Sequence, residues 1–252
     1  MTAKERLAMI QNLIYKNSRA TISELSELCN VTEETIRKDL NKLEEEGVLT
    51  RVHGGAILNQ GSQYKGVHFV QRRTVNLGEK RIIAQHAIEL LKGKNTIFAD
   101  SSTTVAEALK ALPEDFDFTV VSNSTEIFLE LAQKNLNLIS TGGQFNRKYL
   151  ALQGSVAKEC IRKYNVDVAL ISCKALDRVR GVQDSNESEA ELKKIMIEHA
   201  QEVVLLADHD KFDRSAFVRL MSMEQIHCLV TDRKPEDAWI QYCLEHEIKL
   251  IY

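Results

Sequence analysis

Asp100 is followed by four hydroxyl residues in a row, Ser101-Ser102-Thr103-Thr104, where an apolar run ending at Ala99 meets an amphipathic segment. A strand that feeds such a run into the first turn of a helix builds an anion site. The leading N–H groups of a helix lack intrahelical acceptors, and its dipole adds positive charge there. The serine and threonine hydroxyls add donors, and Asp100 adds an acceptor for a sugar hydroxyl. The competing reading of this run is simple helix capping. Asn123, Gly142-Gly143, Lys174 and Asp208 each follow another strand-like run, and Lys174 and Lys211 would supply positive charge for a phosphate. Ligands of open α/β sheets bind beyond the carboxyl ends of the strands, so these residues are expected to converge on one crevice.

A second constellation lies near the N-terminus. With Ile36, Leu40 and Leu43 facing inward, 100° per residue turns Glu34, Lys38 and Asn41 outward, with Arg37 and Thr35 on the flanks. Such a face suits the major groove of DNA. Lysine or arginine reads guanine there and asparagine adenine, while threonines such as Thr32 and flanking cations hold phosphates. Arg51 and His53 would add contacts to the neighbouring backbone. An ordinary solvated helix face competes with this reading, because residues 1–57 carry eight lysines and arginines against nine acids.

These residues need elements to position them. Thr2 with Glu5 and Thr21 with Glu24 have the spacing of capping boxes, followed by Leu7, Ile10 and Ile14 and by Leu25 and Leu28. Asn30 tolerates the left-handed conformation where two helices must turn sharply, and Thr32 caps a third helix that Gly47 ends. Val48 to Ile57, broken by Gly54-Gly55, reads as a hairpin. Three helices and a hairpin make a winged helix over residues 1–57. A polar connector is expected over 58–78, with a short helix near Phe69, and an α/β domain over 79–252. In that domain helices are expected at Arg81–Leu91, Thr104–Leu112 and Thr125–Gln133. They alternate with strands at Thr96–Ala99, Phe118–Val121, Asn137–Ser140, Val166–Ser172, Val203–Ala207 and Cys228–Thr231. Such alternation indicates a largely parallel sheet covered on both faces.

Composition narrows the function classes. The chain has 252 residues, 44% hydrophobic and 27% charged, which fits a globular protein. No apolar run approaches the ~20 residues of a membrane span, and the start resembles no signal peptide, so no membrane partner and a cytoplasmic location are expected. A net charge of −3 gives no hint of nucleic acid, so that case rests on charge placement. The five cysteines are scattered without a C-x-x-C pair and read as reduced, mostly buried thiols. Cys173 has no histidine near it in the pattern. Asp208-His209-Asp210 holds metal-capable side chains, yet three adjacent residues do not easily face one ion. Neither metal nor cofactor is expected.

Val31-Thr32-Glu33-Glu34-Thr35-Ile36-Arg37-Lys38-Asp39-Leu40, with Leu43-Glu44-Glu45-Glu46-Gly47-Val48-Leu49 and Arg51-Val52-His53-Gly54-Gly55-Ala56, closely resembles the N-terminal signature of the DeoR family of transcription regulators. The resemblance continues through Phe69, Arg72, Asn76, Glu79-Lys80 and Ile83-Ala84. Asp100 to Thr104 resembles the family's D-x-G-T-T turn, with Ser102 at the glycine. Asn123, Gly142-Gly143, Gly181, Glu187, Lys193-Lys194 and Asp208-x-x-Lys211-Phe212 match its later motifs.

The resemblance implies a winged helix-turn-helix domain joined to an isomerase-like α/β domain. It further implies a repressor that binds a double-stranded DNA operator as a homo-oligomer, dimer or tetramer, and is released by a sugar or sugar-alcohol phosphate. The effector set it implies is Asp100–Thr104, Asn123, Gly142, Gly143, Lys174, Glu187 and Lys211. The likeness of that domain to ribose-5-phosphate isomerase raises an alternative, a sugar-phosphate enzyme with a DNA-binding appendage. Those isomerases carry an Asp-Gly-Ala-Asp-Glu-type motif. Here the comparable strand end reads Ser172-Cys173-Lys174-Ala175-Leu176, without a carboxylate until Asp177, so no catalysis is expected. A purely structural second domain would leave the polar strand ends without a purpose.

Overall fold

A computed structural model describes residues 2–17, 19–45, 49–58, 69–114 and 116–252. The chain divides into two compact units, Met1–Asn76 and Leu77–Tyr252. Residues 59–68 of the expected connector and the expected helix stop at Gly47 lie outside the described residues.

The first unit holds α1 (Ala3–Asn17), β1 (Arg19–Thr21), α2 (Ile22–Cys29), α3 (Glu33–Glu45), β2 (Leu49–Val52), β3 (Gly55–Leu58) and α4 (Phe69–Thr74). Both capping boxes form: the Thr2 and Thr21 hydroxyls accept from the Glu5 and Glu24 amides at 3.3 and 3.2 Å, and each glutamate accepts in return. Asn30 is left-handed at φ 51°, ψ 51°, which lets α2 turn into α3. Ile36, Leu40 and Leu43 are fully buried with Ile10, Ile14 and Leu25. At about 1.5–3 kcal/mol for each such side chain, this stripe anchors a helix whose other face is wholly polar.

Two features depart from expectation. Leu28 is 48% exposed, because Cys29, four residues after Leu25, takes the inward position. Arg19–Thr21 forms a third strand, pairing with β3 beside β2. A Cβ on Gly55 would come within 2.3 Å of the Ala20 carbonyl oxygen, so this close pairing requires glycine.

The second unit begins with α5 (Leu77–Leu91), which starts before the expected Arg81, then β4 (Thr96–Ala99), α6 (Thr103–Lys110), β5 (Thr119–Ser122), α7 (Thr125–Leu131) and β6 (Asn137–Ser140). Next come β7 (Gln144–Asn146), β8 (Ala151–Gln153), α8 (Ser155–Ile161), β9 (Val166–Ser172), β10 (Ala175–Asp177), β11 (Gly181–Asp184), α9 (Glu187–Glu198) and β12 (Ala200–Leu206). It closes with β13 (Val218–Met221), β14 (Cys228–Val230), α10 (Asp237–Glu245) and β15 (Lys249–Ile251).

Seven strands form one parallel sheet in the order β15-β14-β12-β9-β4-β5-β6. Side chains alternate across it. Ile97, Ala99, Val168, Leu170, Val204 and Leu206 pack with α5, α6 and α7 on one face. Phe98, Ala169, Ile171, Val203 and Leu205 pack with α8, α9 and α10 on the other. The chain runs outward from β4 to β6, returns to β9 beside β4, and then runs the opposite way to β15. The topological switch point therefore lies between β4 and β9, where doubly wound sheets open a crevice. The edge strand β15, a β7–β8 hairpin and a three-stranded antiparallel sheet, β10-β11-β13, are additions that the strand pattern did not announce.

Candidate functional sites

Asp100, 1% exposed, stands at the switch point and joins its two sides. Its Oδ1 accepts from the Ser102 amide and its Oδ2 from the Ser172 amide at the end of β9, both at 2.9 Å. Asp100 thus holds the turn in shape rather than standing free for a ligand. Ser102 occupies an extended conformation, φ −81°, ψ 151°, which any residue adopts, so the position makes no demand for glycine. Its hydroxyl caps α6 by accepting from the Val105 amide at 3.2 Å. The Thr103 and Thr104 amides, first in the helix, have no acceptor among the described residues. They are the donors an anion would meet there.

One strand over, Asn123 follows β5 and is 1% exposed. Its Nδ2 donates to the Leu152 carbonyl at 3.3 Å and its own carbonyl accepts from the Leu152 amide at 2.7 Å, which docks the β7–β8 hairpin on this strand end. Its Oδ1 is buried without a partner among the described residues. A buried acceptor left unsatisfied costs about 1–3 kcal/mol, which a donor on a ligand would recover. Gly142 and Gly143, at φ 63° and 109°, lead from β6 into the hairpin. A Cβ on Gly143 would sit 2.5 Å from the Gln153 carbonyl oxygen, so glycine there lets the hairpin fold back, whereas one on Gly142 would meet only Val156 at 3.7 Å.

On the other side of the switch point, Lys211 Nζ donates to the Ser172 hydroxyl at 2.9 Å and lies 3.4 Å from Asp208. Lys174 is exposed just past β9. His209 is turned away toward Asp232, with Nδ1 2.7 Å from that carboxylate. Cys173 is an inert thiol, since burial pushes its pKa up to about 12.

The central charge of the crevice is Lys193 on α9. Its Nζ lies 3.0 Å from Asp100, 2.7 Å from Asp184 and 2.7 Å from the Ser172 carbonyl oxygen. Burial works against this ammonium, but the Asp100 and Asp184 carboxylates outweigh it and raise its pKa above that of an ordinary lysine. Glu187, expected in the site, is exposed on the first turn of α9. The buried acid is Glu189, which accepts from the Ser101 hydroxyl and the Gln153 amide. Burial pushes its pKa up, against those hydrogen bonds and the Lys193 charge. Lys193 lies within a matched motif, but the sequence carried no sign that Glu189, Gln153 and Asp184 would join it.

In the first unit Thr32 caps α3, its hydroxyl accepting from the Thr35 amide at 3.3 Å and meeting the Thr35 hydroxyl at 3.0 Å. Glu34, Arg37, Lys38 and Asn41 are exposed along one side of α3, and Thr35 is half-buried beside them. Arg37 pairs with Glu33 at 2.7 Å and Lys38 with Glu34 at 3.1 Å. Arg51 lies against the helix, donating from Nη1 to Asn41 Oδ1 at 2.5 Å, while His53 is exposed in the β2–β3 turn. Asp39 points the other way and clamps α3 to α1 through Arg6, Nε–Oδ2 2.5 Å.

Two family models match the chain: a DeoR-like helix-turn-helix domain over residues 6–62 and a DeoR C terminal sensor domain over residues 75–233. An uncharacterized HTH-type transcriptional regulator of Bacillus subtilis, YulB, is 38% identical over 99% of this chain and 96% of its own. The L-fucose operon activator of Haemophilus influenzae is 33% identical over 96% of this chain and 97% of its own. The transcriptional repressor GlcR of Bacillus subtilis is 31% identical over 100% of this chain and 96% of its own. A sensor match over more than half the chain, joined to a helix-turn-helix match and to relatives aligned over nearly their whole length, leads to one conclusion: this chain belongs to the DeoR family of transcriptional regulators.

Proposed function

We propose that the protein represses a carbohydrate-utilisation operon and is released from its operator by a sugar or sugar-alcohol phosphate bound at the switch point. One observation carries this reading. The Thr103 and Thr104 amides and Lys211 offer donors for an anion, and the unpartnered Asn123 Oδ1 offers an acceptor beside them. A ligand that completes both halves carries a phosphate and a hydroxyl. Regulation rather than catalysis is supported by the tying of Asp100 and Asp184 to Lys193, which leaves neither in the free state a proton-abstracting base needs. The relatives of this chain include one named for activation and one named for repression. Repression is the sense assigned here, so ligand lowers operator affinity. Two-fold operators favour a symmetric oligomer, and the cytoplasm is where such a regulator meets DNA.

The test is a thermal-shift panel of sugar phosphates, each beside its parent sugar. A ligand at 100 times its Kd adds about 2.7 kcal/mol, a rise of roughly 5–10 °C for a unit of this size. The binding phosphate should then weaken operator binding about 5- to 150-fold in a gel-shift titration. No shift with any phosphate, or equal shifts with the parent sugars, would overturn the assignment.

A further inference from the structure

Arg51 does not reach out beside the hairpin toward a flanking phosphate. Its backbone amide donates to Glu44 Oε1 at 2.7 Å, which fixes β2 against the C-terminal half of α3. Its guanidinium lies back over the helix, with Nη1 on Asn41 Oδ1 at 2.5 Å and Nε buried. Asn41 stands one turn beyond Arg37 and Lys38, so Arg51 extends the same exposed surface. Asn41 reads adenine only if Oδ1 and Nδ2 both face the base, one accepting from N6 and the other donating to N7. Here Oδ1 is turned to Arg51, which leaves Nδ2 as the group directed outward. The pair therefore presents mainly donors: the Asn41 amide hydrogens and the terminal guanidinium hydrogens not held by Asn41.

Among base edges in the major groove, guanine presents two acceptors side by side, O6 and N7. We propose that Asn41 and Arg51 act as one unit that reads a guanine in the operator half-site. This rests on the DNA-binding reading of α3 and replaces the adenine expected of Asn41 from its residue type. Arg51 becomes a specificity-determining residue supplied by the hairpin rather than a backbone contact.

Operator selection from randomised duplexes, with the full chain, tests the unit through Asn41→Ala and Arg51→Ala. A lost phosphate contact weakens binding alike on every sequence, whereas a lost base contact relaxes one position. The wild type should enrich guanine at one position of each half-site. Both variants should lose at least about tenfold preference at that same base pair. The unit is refuted if Asn41→Ala relaxes an adenine, if the two variants relax different positions, or if Arg51→Ala keeps the wild-type preferences. A wild-type chain that enriches no sequence refutes the DNA-binding reading itself, and the guanine assignment falls with it.

Discussion

Replacing Lys193 with methionine keeps most of the side-chain volume and removes one charge from a site where three meet. In the native protein two carboxylates, Asp100 and Asp184, share one ammonium at 3.0 and 2.7 Å, and all three side chains are at most 9% exposed. The cluster changes from a net −1 to −2, and the Ser172 carbonyl loses its lysine donor. Breaking a buried ion pair by removing one partner costs about 3–5 kcal/mol, because the surviving charge is left uncompensated. For a unit of this size that is a fall in Tm of roughly 6–20 °C. Urea melts at pH 7 would show it as a lower midpoint at unchanged slope. One further arm identifies the cause: Asp184→Asn added to Lys193→Met should recover part of the deficit by removing uncompensated charge. A Lys193→Met protein within about 1 kcal/mol of wild type, or a double variant no more stable than the single one, would refute the account of Lys193 as a charge clamp across the switch point.

Four other outcomes follow from the geometry. Lys211→Ala should leave operator binding intact and abolish release by the sugar phosphate, read in one gel-shift series with and without ligand. Arg37→Ala and Lys38→Ala should each weaken operator binding by about 1–3 kcal/mol. Their i,i+4 pairs contribute only about 0.3–0.5 kcal/mol to folding, so thermal melts of these variants should stay near wild type. Gly143→Ala should lower stability by about 1–3 kcal/mol, through positive φ and a Cβ 2.5 Å from a carbonyl oxygen, and more than Gly142→Ala, whose Cβ meets only Val156 at 3.7 Å. Glu189 has a raised folded pKa, so its contribution is most favourable at low pH and declines as pH rises from its unfolded value through the folded one. Glu189→Gln should remove that decline, visible as a flatter stability profile above about pH 4.

The parallel sheet was legible because its strands are apolar runs with no competing period. The turn at Asn30 and the inner stripe of α3 were legible because each rests on local chemistry. Where a strand is three residues long, as in Arg19–Thr21, Gln144–Asn146 or Ala151–Gln153, no alternation exists to be read, and pairing with a distant segment creates the element. Glu187 and Glu189 show the same limit within the site. They stand about 200° apart on α9, but that helix is buried around much of its circumference, with Ala190, Leu192, Lys193, Ile195, Met196 and Ile197 all inside. Periodicity then says little about which acid faces the crevice. Lys193 likewise lies beside Lys194 in sequence, and only the carboxylates delivered by β4 and β11 distinguish them.

The glutamates that pair with Arg37 and Lys38 bear on how the protein finds its site. A cell offers about 10⁶–10⁹ competing sequences, and a cationic reading face would be titrated by them through phosphate contacts alone. Glu33 and Glu34 act as tethered counter-anions on that face. On arbitrary duplex they repel the phosphates that the basic side chains attract, and fewer condensed cations are set free. In the proposed reading of α3, the exchange of partners is favourable only where base edges engage Arg37 and Lys38 directly. In that reading the same residues lower total affinity and widen the ratio of operator to bulk DNA occupancy, which leaves more copies of the regulator unsequestered.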